Sequence, residues 1–375
     1  MLRSRPGRLV YLSPVPLHSF AQRPHHFVRW FHDRFAAPVL WIDPGPSRLP
    51  RLSDWPRIFE RHHTDLGPPW RTEPWIEQLA ARVWPVEPWA WGRALNRQLW
   101  RPLLARVDAF VTPDTCLVMG KPCALALALG ERHSRLPLVM DAMDAMPAFS
   151  EGASRRWMTQ AEQALAQRAD AILASSDALA RHFASHGHKV QTVLNGLTPW
   201  SCEGAAPDHR PPGQPLVLGF VGSIDRWFDW PTVIGLARAC PQLQVDLVGP
   251  VRLAPPEALP LNVRLHPAIA QHEVYGVMQR FDIGLIPFVH NDVTACVDPV
   301  KYYEYRAVGL PVLSSRFGQM AERTAADGVH FIEDMQPWRL PQLQALAASR
   351  LTPGQAHAFR QHNDWSSRFD ALDLW

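Results

Sequence analysis

Between residues 216 and 315 a short apolar run, a tight turn and a stretch of helical spacing follow one another repeatedly, and this alternation restricts the chain to a few architectures. Leu216-Val217-Leu218-Gly219-Phe220-Val221 reads as a strand without polar alternation, the pattern expected where both faces of a sheet are covered. It runs into Gly222-Ser223, and helical spacing then continues to Ala239. Three further runs, at 244–249, 263–267 and 281–288, fall at the spacing of strands separated by helices. Such alternation predicts an α/β fold with parallel sheets. At 375 residues and 47% hydrophobic content, two such domains are expected, each with its own core.

The run Asp298-Pro299-Val300-Lys301-Tyr302-Tyr303-Glu304-Tyr305-Arg306-Ala307-Val308-Gly309-Leu310-Pro311-Val312 carries the chain's clearest chemistry. Asp298 is expected to cap a helix, with Pro299 in its first turn and Gly309 and Pro311 ending it before a strand at 312–314. The backbone N–H groups that follow Pro299, starting at Val300, and the positive end of the helix dipole would attract a phosphate, with Lys301 adding a point charge. Glu304 lies about 4.5 Å further along the axis on the same face, where a carboxylate can accept hydrogen bonds from two neighbouring ribose hydroxyls. The same residues also fit an ordinary capped helix with a solvated Lys301–Glu304 pair worth ~0.2–0.5 kcal/mol. The strand, glycine turn and helix upstream, with Gly222, Ser223 and Arg226 in the turn, form a unit of the phosphate-binding type and favour the first reading.

The first half is the basic half. Residues 1–198 hold 24 Lys+Arg against 17 Asp+Glu, and the whole chain carries +3. Trp70, Trp75, Trp84, Trp89, Trp91 and Trp100 are interleaved with Arg71, Arg82, Arg93, Arg97 and Arg101, a mixture that suits an anionic membrane interface, or else core packing interrupted by prolines. The modest charge and lack of a recognised motif argue against nucleic acid. Residues 8–13 read as a strand leading through a loop that holds Gln22 and Arg23 into a helix; Arg23 offers a fork to a diphosphate or pairs locally. In the strand 138–141, Asp141 is expected directly after the last apolar residue and Asp144 in the following loop, each a candidate for holding hydroxyls or for general-base work, while Asp144 also fits a helix cap. The doublets His25-His26 and His62-His63 lack i,i+4 metal spacing, and the five cysteines show neither a CxxC pair nor metal-ligand spacing, so no metal site is expected. No apolar run approaches the ~20 residues of a membrane span and the N-terminal apolar core is short for a signal peptide, giving a cytoplasmic expectation with peripheral contact at the inner membrane.

The motifs "LVGP", "VRLHP", "FDIGLIPF" and "PVKYYEYRAVGLPV", following the strand-Gly-Ser loop, resemble in order and spacing the nucleotide-sugar domain of GT-B-fold glycosyltransferases of bacterial cell-surface polysaccharides. "ADAILASSDALARHFASHGHKVQTVLNGL" resembles the strand, helix and Asn-Gly hinge that close the first domain of that family, so the resemblance covers nearly the whole chain. It implies two Rossmann-like domains facing each other across a cleft. An acceptor-binding domain at 1–198, a linker at 199–215 and a nucleotide-sugar domain at 216–353 are then expected, with a helix at 354–375 crossing back. It further implies a metal-independent transferase, without a cofactor, that uses a nucleotide diphosphate-sugar donor and a glycan or lipid-linked glycan acceptor. Gln22 and Arg23 would lie in the phosphate-adjacent acceptor loop, and Ile269 beside the base, which the family reads through backbone groups. One departure stands out: an acid usual eight positions before the ribose-binding glutamate is Cys296 here, with Asp298 or Asp292 as stand-ins. A nucleotide-sugar epimerase of the same fold and a non-catalytic partner that retains it are the rival readings.

Overall fold

The computed structural model describes residues 5–45, 73–198 and 214–375. Two compact units are present. The first takes the described residues up to Leu194 together with Phe369–Trp375, and the second takes those from Asn195 to Arg368. Trp70, Arg71, His62, His63 and residues 199–213 of the expected linker lie outside the described residues.

The first unit is built on strands β1 (Arg8–Leu12), β2 (Val39–Asp43), β3 (Ile76–Ala80), β4 (Thr115–Met119), β5 (Leu138–Ala142), β6 (Ala171–Ala174) and β7 (Val190–Thr192). They lie parallel in the order β3-β2-β1-β4-β5-β6-β7. The order reverses direction between β1 and β4, the switch point at whose carboxyl-end crevice such sheets place ligands. Every residue of β4 and β5 is buried, the polar Thr115 and Asp141 included, as expected of strands covered on both faces.

The second unit repeats the plan with β8 (Val217–Val221), β9 (Gln244–Val248), β10 (Val263–His266), β11 (Ile283–Ile286), β12 (Val312–Ser314) and β13 (Val329–Phe331), parallel in the order β10-β9-β8-β11-β12-β13. Its switch point lies between β8 and β11. Two glycines there are set by close approach. A Cβ on Gly219 would stand 2.0 Å from the Phe281 ring, and one on Gly284 would stand 2.4 Å from the Tyr305 ring. The core behind β8 and β11 holds Val221, Ile286, Tyr303, Tyr305 and Phe317, and Ile269 packs against it. The C-terminal stretch is not one helix: Pro353–His362 and Trp365–Asp370 are separated at Asn363-Asp364, where Leu197 forms an isolated bridge to Asp364. The break is local. Asn363 caps the first of the two and its side chain folds back onto Phe359 O, while Asp364 Oδ1 accepts from Ser367 N at the start of the second.

Candidate functional site

At the carboxyl end of β8 and the start of helix Val300–Ala307 the second unit brings together three of the sequence-predicted donor residues, Gly222, Lys301 and Glu304. Tyr305 fixes that helix against the sheet: its ring covers Gly284, its Oη accepts from Val221 N at 3.1 Å, and it donates to Leu285 O at 3.5 Å. The helix therefore presents its first turn at the end of β8. Lys301 Cε lies 3.5 Å from the place a Cβ would occupy on Gly222, and Gly222 itself has φ +155°, a backbone other residues rarely adopt. Lys301 Nζ donates to Glu304 Oε2 at 2.6 Å. Gly222, Lys301 and Glu304 are thus neighbours, with Pro299 and Val300 at the helix start.

Three expectations at this helix need correction. Asp298 does not cap it. Pro299 stands at the N-cap in extended backbone and the helix begins at Val300, because the Asp298 side chain is held elsewhere. Asp298 is 3% exposed; Oδ2 accepts from Asn195 N and from Tyr303 Oη, both at 2.8 Å, and Oδ1 accepts from Arg323 Nη2 at 2.8 Å. Its backbone oxygen also accepts from Asn195 Nδ2 at 2.7 Å. With both oxygens so engaged, Asp298 is no stand-in for the acid replaced by Cys296; Asp292 lies exposed. Glu304, in turn, is not part of a solvated pair. It is 5% exposed, and its partner Lys301 is half-buried, which places the pair inside the wall of the site.

Arg323 completes the Asp298 arrangement. Its guanidinium stacks 3.8 Å from the Tyr302 ring centroid and also donates to Tyr303 Oη at 2.9 Å. The Asp298 carboxylate raises the pKa of Arg323 against the opposing effect of burial, while burial and Asp298 push the Tyr303 phenol well above its ordinary value. Sequence reasoning missed Arg323 and Tyr303 as partners of Asp298, because Asp298 reads locally as a helix cap and no local pattern points to Arg323, 25 residues on.

Of the remaining donor residues, Ser223 O accepts from Trp227 Nε1 at 3.2 Å, which closes the turn after β8, and Arg226 is exposed on that turn. Ile269 is half-buried beside the core under the helix.

In the first unit, Asp141 lies within β5 rather than after it and is 1% exposed. Its Oδ1 accepts from Arg23 Nε at 2.9 Å, and its Oδ2 accepts from Tyr11 Oη at 2.7 Å. Arg23 is equally buried and uses Nη1 on Val193 O at 2.6 Å, so it is not a fork held out to a diphosphate. The pair joins β1, β5 and helix Arg23–Phe35 at the carboxyl edge of the sheet. Gln22 is the N-cap of that helix. Its N–H donates to His25 Nδ1 at 3.1 Å, and His25 Nε2 reaches Leu17 O at 3.0 Å. Burial drives His25 down to about 4, so its ring stays neutral in this role. Asp144 is different. It sits half-buried in the loop after β5, and desolvation pushes its carboxyl up to about 7 against the lowering pull of Arg23. Asp141 is thus held in a buried ion pair, whereas the half-buried Asp144 carboxyl lies near neutrality.

Among the described residues no group of three or more His, Cys, Asp or Glu side chains is arranged to hold a metal ion, and no helix is long and apolar enough to cross a membrane.

No protein-family model matches the chain. Among curated proteins it is similar to TuaH of Bacillus subtilis strain 168, described as a teichuronic acid biosynthesis glycosyltransferase, at 28% identity over 197 residues. The match spans about half the length of that relative, 49% of each chain. Among solved structures it is similar to Anabaena HepE in complex with UDP, at 17% identity and a TM-score of 0.61, covering 97% of this chain and 98% of that one. The lipopolysaccharide outer core galactosyltransferase WaaB in its apo form is similar at 10% identity and a TM-score of 0.61, with 97% and 98% covered. A UDP-forming α,α-trehalose-phosphate synthase from Burkholderia vietnamiensis gives 14% identity and a TM-score of 0.58, with 97% and 95% covered. These likenesses show a shared fold, two parallel-sheet Rossmann-like domains of the GT-B type.

Proposed function

We propose that this protein is a glycosyltransferase that moves a sugar from a nucleotide diphosphate-sugar to a hydroxyl of a growing, lipid-linked surface polysaccharide. The observation that carries the proposal is the grouping of Gly222, Lys301 and Glu304 at the end of β8. The glycine leaves room for a diphosphate to approach the backbone, and helix Val300–Ala307 offers the N–H groups of Val300 and Lys301, ahead of Tyr302, whose N–H donates to Pro299 O. Lys301 supplies a compact positive charge with two ammonium protons still to give beyond the one on Glu304. Glu304, held on the same face, accepts from the ribose hydroxyls. In this reading Lys301, Arg226 and the backbone N–H groups meet the charge of the leaving diphosphate without a divalent ion. Similarity to a teichuronic acid glycosyltransferase and to a UDP-bound structure supports the polysaccharide acceptor and makes UDP the first nucleotide to test.

A thermal-shift panel of UDP, GDP, dTDP, ADP and CMP, run in EDTA and again with Mn²⁺, tests this directly. One diphosphate is expected to stabilise the protein by ~2.7 kcal/mol when present at about a hundred times its dissociation constant, to a similar extent in both buffers. No shift with any nucleotide, or a shift that appears only with Mn²⁺, would sink the reading.

In the first unit Asp144 is read as the base that accepts the proton of the attacking hydroxyl. Transfer is then expected to rise with pH through about 7, as the Asp144 carboxyl ionises, and to be lost in Asp144→Asn. The stability effect has the opposite sign. A folded-state pKa raised from 3.8 to about 7 means that the folded form holds a proton that the unfolded chain gives up, so the contribution is full below the unfolded value and disappears as pH rises through about 7. Asp144→Asn should flatten that slope in a denaturation series against pH. An unchanged slope and an unchanged rate profile would remove Asp144 from this role.

A further inference from the structure

The basic, tryptophan-rich stretch of the first unit separates into two populations. Trp100 is buried, and Trp75 stacks on His32 with ring centroids 4.2 Å apart. Trp84, Trp89 and Trp91 instead stand 56%, 45% and 62% exposed, with Trp89 and Trp91 stacked on each other at 6.2 Å. Asn96 explains how they are presented. It is fully buried on the inner face of helix Ala90–Leu99, with Oδ1 accepting from Trp84 N at 2.8 Å and Nδ2 donating to Trp84 O at 3.0 Å. The helix and the Trp84 turn are thereby fastened together with their indoles outward. On the outer face Trp91 and Leu95 follow each other at i,i+4, and Arg97 flanks them.

Within residues 81–101 the exposed charges are of one sign. Residues 81–101 contain a single acid, Glu87, which is buried, with its Oε2 accepting from Ala124 N and Trp157 Nε1. Arg93 points inward, donating to Glu87 O and lying over the Trp157 ring. Arg82, Arg97 and Arg101 are exposed, and no acid among the described residues pairs with them. An apolar rim of indoles with exposed guanidinium groups beside it matches the headgroup layer of an anionic bilayer: indoles settle at headgroup depth while cations meet lipid phosphate.

We infer that the face formed by Trp84, Trp89, Trp91 and Leu95, with Arg82, Arg97 and Arg101, docks this protein peripherally on an anionic lipid surface. The inference rests on the proposed lipid-linked acceptor for its purpose, because docking there holds the first unit where such an acceptor is found. Its physical basis is independent of that reading. Contact with an acidic protein is the competing occupant, and the lipid test decides between them.

Co-sedimentation of the full chain with phosphatidylglycerol-containing vesicles tests the inference, with pure phosphatidylcholine vesicles as the comparison. The wild type is expected to pellet with the anionic vesicles, less so at high salt, and to stay in solution with the neutral ones. Arg97→Ala with Arg101→Ala removes two exposed cations and is expected to weaken vesicle partition about thirtyfold. Trp89→Ala with Trp91→Ala should also release the protein, and the exposed arginine pair keeps the test valid if the tryptophan variant misfolds. Nucleotide thermal shifts measured on the same variants should be unchanged, so failure of docking and failure of donor binding are read separately. A wild type that ignores anionic vesicles, or an arginine variant that binds them like the wild type, overturns the inference.

Discussion

Asp298→Ala is expected to lower the stability of the second unit by about 3–5 kcal/mol, the cost typical of removing one partner from a buried ion pair. The Arg323 guanidinium would remain buried among Tyr302 and Tyr303 without its counter-charge. Asn195 N and Tyr303 Oη would lose their acceptor as well. A domain with about 5–15 kcal/mol of total stability cannot absorb such a loss easily, so guanidinium unfolding should show the change as a large drop in midpoint. Replacing Asp298 and Arg323 together by apolar residues of similar volume should recover much of it, since neither then leaves an unpaired charge. A single mutant that unfolds within about 1 kcal/mol of the wild type would show that the pair is not the anchor described here.

The second large effect concerns ligand binding. Lys301→Ala is expected to weaken a nucleoside diphosphate by about 10–100-fold while leaving the free nucleoside almost unaffected, because a hydrogen bond to a charged group contributes roughly 1.5–3 kcal/mol and the proposed partner is phosphate. Glu304→Gln should weaken both the diphosphate and the nucleoside, and should do little to a 2′,3′-dideoxy analogue that lacks the ribose hydroxyls. Glutamine is the better probe than alanine because Glu304 is 5% exposed and its removal would also open a gap in the wall. Equal losses for nucleoside and diphosphate in the lysine variant, measured by calorimetry, would contradict the assignment of Lys301 to phosphate.

The parts of the fold legible in the sequence were those with a local cause. β8, β11 and β12 are apolar runs bounded by Gly, Pro and Asp, and their buried positions follow from that pattern alone. The Lys301–Glu304 neighbourhood was likewise written in helical spacing. The edge strand β3, Ile-Glu-Gln-Leu-Ala, carries two polar residues in five and could not be told from a turn or a helix start. Long-range partners were the other limit. Asp298 reads locally as a helix cap, and only the fold brings Arg323, 25 residues on, and Asn195, 103 residues back, to its carboxylate. Arg23 reads as an anion fork at a helix start until Asp141, 118 residues away, takes it into the core. The tryptophans needed tertiary structure for the same reason, because composition cannot separate Trp100 in the core from Trp91 on the surface.

The central claim, that the second unit binds a nucleotide diphosphate-sugar and the protein passes its sugar to a separate acceptor, is tested most directly by following a labelled sugar. A donor carrying the nucleotide that stabilises the protein would be incubated with it, with and without an extract of lipid-linked glycan. Label is predicted to enter the glycan fraction only when protein and acceptor are both present, with stoichiometric release of the nucleoside diphosphate and a strong reduction in Lys301→Ala. Conversion of the donor sugar to its epimer in the absence of acceptor, or a donor that remains bound and unconsumed with every acceptor tried, would contradict the account.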